Sequence, residues 1–133
     1  MDTMKQLAVF VANRPGTLSQ ICQTLAQHGI NIRGISVADA MDHAVLRFVV
    51  DKADVAVHVL GETGLLVLDS DVLALALDNR PGSLSEVSRA LGEAGVNIEY
   101  AYGGTNNIDK AGTLFLKVSD TAAALIALEK IGL

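Results

Sequence analysis

Asn13, Arg14, Pro15 and Gly16 open the stretch NRPGTLS, and Asn79, Arg80, Pro81 and Gly82 open NRPGSLS, 66 residues later. Asn31 in GINI has a counterpart at the same offset, Asn97 in GVNI. A carboxamide carries a donor and an acceptor together, which suits a zwitterion bearing both an ammonium and a carboxylate. The chemistry these residues offer is recognition, not bond-making. The loop between them is built to bend: Asn tolerates left-handed geometry, Pro fixes φ and keeps the preceding Arg extended, and Gly takes whatever angle remains. Thr17 and Ser83 follow as N-caps, with Gln20 and Glu86 three positions on, so both copies read as capping boxes. A helix opening here turns its first N–H groups outward, and such termini attract anions, carboxylates included. The capping boxes take up part of that donor supply, which suits a weakly held ligand with further anchors at Asn31 and Asn97. A structural reading stands beside this one: Pro-Gly makes a turn and Asn caps it. Retention of all these letters in both copies favours recognition.

The elements that must position these residues also come twice. KQLAVFVAN and DVLALALDN are β-rich runs ending at the repeated loop. After the first loop, Leu18, Ile21, Cys22, Leu25 and Ala26 fall on one helical face, and Leu84, Val87 and Leu91 match them in the second copy. Gly29 and Gly95 stop these helices. Two strands follow in each copy, NIRGISVAD with AVLRFVVD and NIEYAYGG with GTLFLKVSD. The second connection is longer by two residues and contains the turn-rich TNNIDKAG. DVAVHVL alternates like a strand, but its counterpart TAAALIALEKIG is helical, so both are assigned as helices. GLLVLD then closes the first copy as a fourth strand. The expected fold is α+β, a ferredoxin-like βαββαβ sandwich repeated in tandem over residues 1–70 and 71–133. The second copy lacks most of its last strand. That would leave a sheet edge to be covered, by joining the two sheets or by a second chain, and it points to a homodimer.

Bulk composition removes several function classes. Half of the 133 residues are hydrophobic and the formal net charge is −5, with basic residues scattered along the chain. A phosphate backbone demands a basic stripe, so no nucleic acid is expected. One cysteine, Cys22, leaves no disulfide framework and no Cys-rich metal site. No apolar run reaches the length of a membrane span, and no signal peptide is visible, so a cytoplasmic protein is expected. His28, His43 and His58 fall in different elements without partners in the second copy, and they read as surface positions. Asp39 and Asp42 read as hairpin residues. Arg14 and Arg80 read as solvated or as contacts to a partner chain. Tyr100 and Tyr102 lack basic neighbours of the RNA-binding kind and read as ligand-pocket or interface residues. No nucleophile–base pair can be argued from spacing, and no enzyme activity or cofactor is expected.

Strand, NRPGxLS, helix, GxNI, strand resembles the ACT domain, here as two tandem copies covering nearly the whole chain. NIRGISVADAMDHAVLRFVVD is further similar to stand-alone tandem-ACT proteins that bind amino acids. The resemblance implies domains paired side by side into a wide sheet with helices on one face, and a free amino acid bound between paired domains. It also implies regulation of a partner enzyme of amino-acid metabolism. In the phosphoglycerate dehydrogenase branch the loop Asn and the Asn after the first helix contact the ligand, which implies roles for Asn13 and Asn31 and for Asn79 and Asn97. Gly16 and Gly82 match the loop Gly that lets the backbone approach closely. That branch carries a His two places before the loop Asn, where this chain has Val11 and Leu77, so its serine specificity is not implied. The competing function is a ligand-free interaction module that mediates oligomerisation. Acylphosphatases share the topology, but their phosphate loop, with an Arg just inside the first helix, is absent.

Overall fold

Alternation along KQLAVFV sends Leu7, Val9 and Val11 to one face of the first strand, where all three are buried, and leaves Phe10 exposed on the other. The computed structural model describes residues 1–104 and 112–133. Their elements run β1 (Asp2–Ala12), α1 (Thr17–Gln27), β2 (Ile32–Ala40), β3 (His43–Val50), α2 (Ala53–Glu62), β4 (Leu66–Leu77), α3 (Ser83–Glu93), β5 (Ile98–Gly104), β6 (Gly112–Val118) and α4 (Thr121–Glu129). This is the expected tandem ferredoxin-like α+β order. No strand follows α4 among the described residues. The turn-rich TNNIDKAG stretch lies outside the described residues except for its last glycine.

The chain divides into two units, Lys5–Ser70 and Met1–Met4 with Asp71–Leu133. In the first, β3 is antiparallel to both β1 and β2, with Ala12 opposite His43 and Ile32 opposite Val50. In the second, β6 is antiparallel to both β4 and β5, with Leu77 opposite Gly112 and Ile98 opposite Val118. Each unit has its own core. Leu7, Leu25, Phe48 and Leu60 meet in the first, and Leu73, Leu91, Leu116 and Leu128 in the second. Each such side chain, fully buried, contributes about 1.5–3 kcal/mol.

Two details differ from the sequence pattern. GLLVLD and DVLALALDN do not form separate strands; they join in β4. Nothing between Leu66 and Leu77 is Gly or Pro, so no residue there stops an extended chain. The apolar helix faces also begin a turn late. Ile21, Leu25, Val87 and Leu91 are buried, Cys22 is half-buried against the first core, and Leu18 and Leu84 are 40% and 52% exposed. Cα–Cβ bonds tilt toward a helix's N-terminus, so a first-turn side chain reaches over the preceding loop and not down onto the sheet.

Gly29 and Gly95 end their helices as the sequence suggests, in left-handed geometry at φ 67° and 72°. Ile30 N–H donates to Leu25 C=O at 3.0 Å and Gly29 N–H to Ala26 C=O at 3.0 Å. Val96 and Gly95 repeat the pattern on Leu91 and Gly92. Both are Schellman motifs, each with a buried residue after the glycine that packs into the core.

Candidate functional site

Each repeated loop is a type II β-turn. Thr17 N–H reaches back to Arg14 C=O at 3.4 Å, and Ser83 N–H to Arg80 C=O at 3.4 Å. Pro15 and Pro81 occupy the second turn position. Gly16 (φ 87°, ψ −14°) and Gly82 (φ 94°, ψ −13°) take the third, which requires positive φ. The glycines therefore become the N-cap residues, and the expected capping boxes do not form: neither helix has a side-chain cap. Ser83 Oγ instead donates to Asp78 C=O at 2.8 Å, and the Glu86 carboxylate turns to Arg80. Among the described residues, no N-cap side chain therefore holds the first N–H groups of α1 and α3.

Within a unit, the loop asparagine and the asparagine after the first helix are held apart. Asn13 follows Ala12, opposite His43 at the start of β3, whereas Asn31 precedes Ile32, opposite Val50 at its end. Those ends lie roughly 23 Å apart at about 3.3 Å per residue. Asn79 and Asn97 are separated in the same way by β6, roughly 20 Å. The backbones of Asn31 and Asn97 fasten the far end. Asn31 N–H donates to Asp51 Oδ1 at 3.0 Å and Asn97 N–H to Ser119 Oγ at 2.9 Å, while Asp51 and Ser119 N–H return bonds to the Asn carbonyls. The Asn31 and Asn97 carboxamides are exposed and make no hydrogen bond among the described residues.

The two loops have diverged in their contacts. In the first, Asn13 N–H donates to Asp42 C=O at 2.8 Å and its Nδ2 to Met41 C=O at 3.2 Å, pinning the two-residue turn between β2 and β3 onto the loop. The Arg14 guanidinium has no hydrogen bond or ion pair among the described residues. In the second loop, Arg80 Nη2 donates to both Glu86 carboxylate oxygens, at 3.1 and 2.9 Å. That hydrogen bonding, then the opposite charge, raises the Arg80 pKa and lowers that of Glu86. Gln20 stands at the matching place in the first copy and cannot form such a pair.

Beside the second loop lies a cavity of about 230 Å³, bordered by Asp78, Asn79 and Arg80 on one side and by Gly103, Gly104 and Gly112 on the other. Leu77, Leu84 and Leu114 supply its apolar wall. Register explains the space. Val37 faces Leu46 in the first copy where Gly103 faces Leu114 in the second, and Ala44 faces Val11 where Gly112 faces Leu77. Two side chains present in the first copy are missing in the second. Glycine inside a strand commonly marks close approach by another backbone or a ligand. At Gly103 another backbone is present: a Cβ there would collide with the Thr113 carbonyl oxygen. At Gly104 a Cβ would meet nothing. Of the sequence candidates, Asn79 and Arg80 border the cavity; Asn97 is at the other end of the unit. Asp78, Gly103 and Gly112 were not singled out by the sequence, and Leu84 was read there only as part of the apolar helix face. The available signal was the glycine bracket around the longer hairpin, and Asp78 standing where the first copy has Ala12.

The remaining candidates lie elsewhere. Tyr100 and Tyr102 stack at 6.5 Å on β5, and Tyr102 meets Phe115 at 5.3 Å. They share a sheet face with Phe115 and Lys117, opposite the face of Gly103 and Leu114, so they do not belong to this cavity. His28, His43 and His58 are exposed and bonded locally, to Thr24, Asp42 and Glu62. Among the described residues no group of three or more His, Cys, Asp and Glu could hold a metal ion, and no helix is long and apolar enough to cross a membrane.

A protein from Bacteroides thetaiotaomicron has the same fold, with a TM-score of 0.89 and 30% identity over 96% of this chain and 88% of its own. The regulatory subunit of aspartate kinase from Thermus thermophilus, in ligand-free form, superposes with a TM-score of 0.74 at 18% identity, covering 100% of this chain and 99% of that one. Aspartate kinase from Clostridium acetobutylicum gives 0.61 at 13% identity, over 96% of this chain and 33% of the enzyme. These last two likenesses concern the fold. No curated protein matches. The model of the ACT domain pair matches residues 2–131, and with the doubled loop, the doubled split-βαβ order and these neighbours, the chain belongs to that family.

Proposed function

We propose that this protein is a regulatory sensor that binds a free amino acid at the Asn79 loop and passes that state to a partner enzyme of amino-acid metabolism. The observation that carries the reading is the cavity of about 230 Å³ between that loop and the glycine-flanked strand ends. An apolar cavity of about 150 Å³ accommodates benzene, so this volume suits an amino acid better than a nucleotide or a large cofactor. Supporting it are the N–H groups at the start of α3, which no N-cap side chain holds among the described residues and which suit a carboxylate. The likeness to an aspartate kinase regulatory subunit supports a partner enzyme. In this reading the protein works in the cytoplasm as a homodimer. Residues 71–133 carry the ligand, and residues 1–70, where Asn13 is bound to the neighbouring turn, serve the assembly.

A second reading has its own observation. Asn13 holds Met41 and Arg80 holds Glu86, so the repeated letters also do structural work, as they would in a ligand-free interaction module. Thermal unfolding with each of the twenty amino acids separates the two. A ligand at about a hundred times its dissociation constant adds roughly 2.7 kcal/mol to the folded state. A rise with one amino acid, abolished by Asn79→Ala, supports the sensor. No rise with any of them, for a folded protein, leaves the interaction module.

A further inference from the structure

We infer that the cavity beside the Asn79 loop selects an amino acid with an uncharged aliphatic side chain, and that Asp78 receives its ammonium. The inference rests on the proposed amino-acid binding and adds the ligand class and a specificity residue. Leu77, Leu84 and Leu114 form an apolar wall of the cavity, the glycines beside them contribute no polar side chain, and of the two hydroxyl residues that also border it, Ser83 and Thr113, Ser83 already donates to Asp78 C=O. A hydroxyl or charge placed against that wall would lose water without gaining a partner, which is unfavourable. Leu84 has a particular place here. It is 52% exposed although it begins an apolar helix face, and covering it with an aliphatic ligand removes that surface from water.

Charge supplies the orientation. Asp78 borders the cavity, and its carboxylate accepts no hydrogen bond among the described residues. Arg80, whose charge also interacts with Asp78, gives its Nη2 hydrogen bonds to the two oxygens of Glu86. A carboxylate left in this state accepts charge-assisted hydrogen bonds from an ammonium. In the first copy Ala12 stands at this position and Val37 fills the place of Gly103, so that copy has neither the carboxylate nor the same space. The glycine and acidic replacements fall in the same copy and border the same cavity.

Calorimetric titration of the full chain with L-leucine, L-valine, L-serine, L-aspartate and L-lysine tests this. Leucine or valine should bind about tenfold or more tightly than serine, with aspartate and lysine weaker still. Asp78→Ala, which installs the first copy's residue, and Leu84→Ser, at a half-exposed site, should each weaken leucine binding by about tenfold or more while the circular dichroism spectrum stays unchanged. Serine, aspartate or lysine binding as tightly as leucine overturns the inference and leaves amino-acid sensing intact. Leucine binding that survives Asp78→Ala removes the assignment of the ammonium. Binding of none of the five overturns the inference, and the twenty-amino-acid unfolding series then decides whether sensing falls with it.

Discussion

At the scale of single residues, the repeated loop shows one sequence performing two tasks. Pro15-Gly16 and Pro81-Gly82 make the same type II turn, and this much was legible, because Pro fixes φ at the second position and Gly alone takes the positive φ of the third without a steric cost. The capping boxes were not legible as absent. Ser83 and Glu86 have the right types at the right spacing, but the turn makes Gly82 the N-cap and puts Ser83 one place inside the helix, where its hydroxyl donates to Asp78 C=O. Glu86 finds a full positive charge in Arg80. That pair has a pH signature. The hydrogen bond and charge of Arg80 lower the Glu86 pKa from its ordinary 4.5, so the folded state gains stability above that value and loses it as pH falls through the lowered one. Glu86→Gln should therefore lessen the acid-side fall in unfolding midpoint below about pH 4.5 and leave the slope between pH 6 and pH 8 unchanged. Both partners are half exposed, so raising the salt should narrow the gap between wild type and variant.

At the scale of elements, glycine spacing carried most of the legible information. Gly29 and Gly95 ended their helices where the pattern indicated, because the residue after a Schellman helix end must take positive φ. Placing Ala there should cost about 1–2 kcal/mol. Gly95→Ala should lower the urea midpoint accordingly, and Gly95→Asn, which enters that region more readily, should lower it less. What the pattern could not give was distance along a strand. Asn13 and Asn31 look like neighbours in the sequence because only α1 intervenes. A helix crossover into a parallel strand carries the chain back to the other end of the sheet, so the full length of β3 separates them. The cavity was hidden for a related reason. It becomes visible only when β5 and β6 are aligned with β2 and β3 through their pairing, because the longer hairpin puts the two copies out of step in sequence.

At the scale of the whole molecule, the tandem α+β order could be read directly from the doubled alternation and the doubled helix face. The merging of two short runs into β4 could not, since LDSD contains polar residues that suggest a turn and no residue that enforces one. Composition sets the collective behaviour. With a formal charge of −5 and a sequence pI near 5.0, charge repulsion between molecules is least near pH 5. Turbidity of the concentrated protein should peak there and subside on either side.

The hairpin beyond β5 also bears on how duplicated genes come to differ. Two tandem copies of a loop begin as equals, and substitution within the loop would threaten the turn both depend on. Lengthening the connection between two strands, and thinning the strand ends across from one loop to glycine, leaves the turn untouched. The loop facing those strand ends acquires a different environment while Asn, Arg, Pro and Gly stay as they were. A search for divergence in such pairs that compares only the shared motif will see two nearly identical loops; much of the difference lies beside them and across from them.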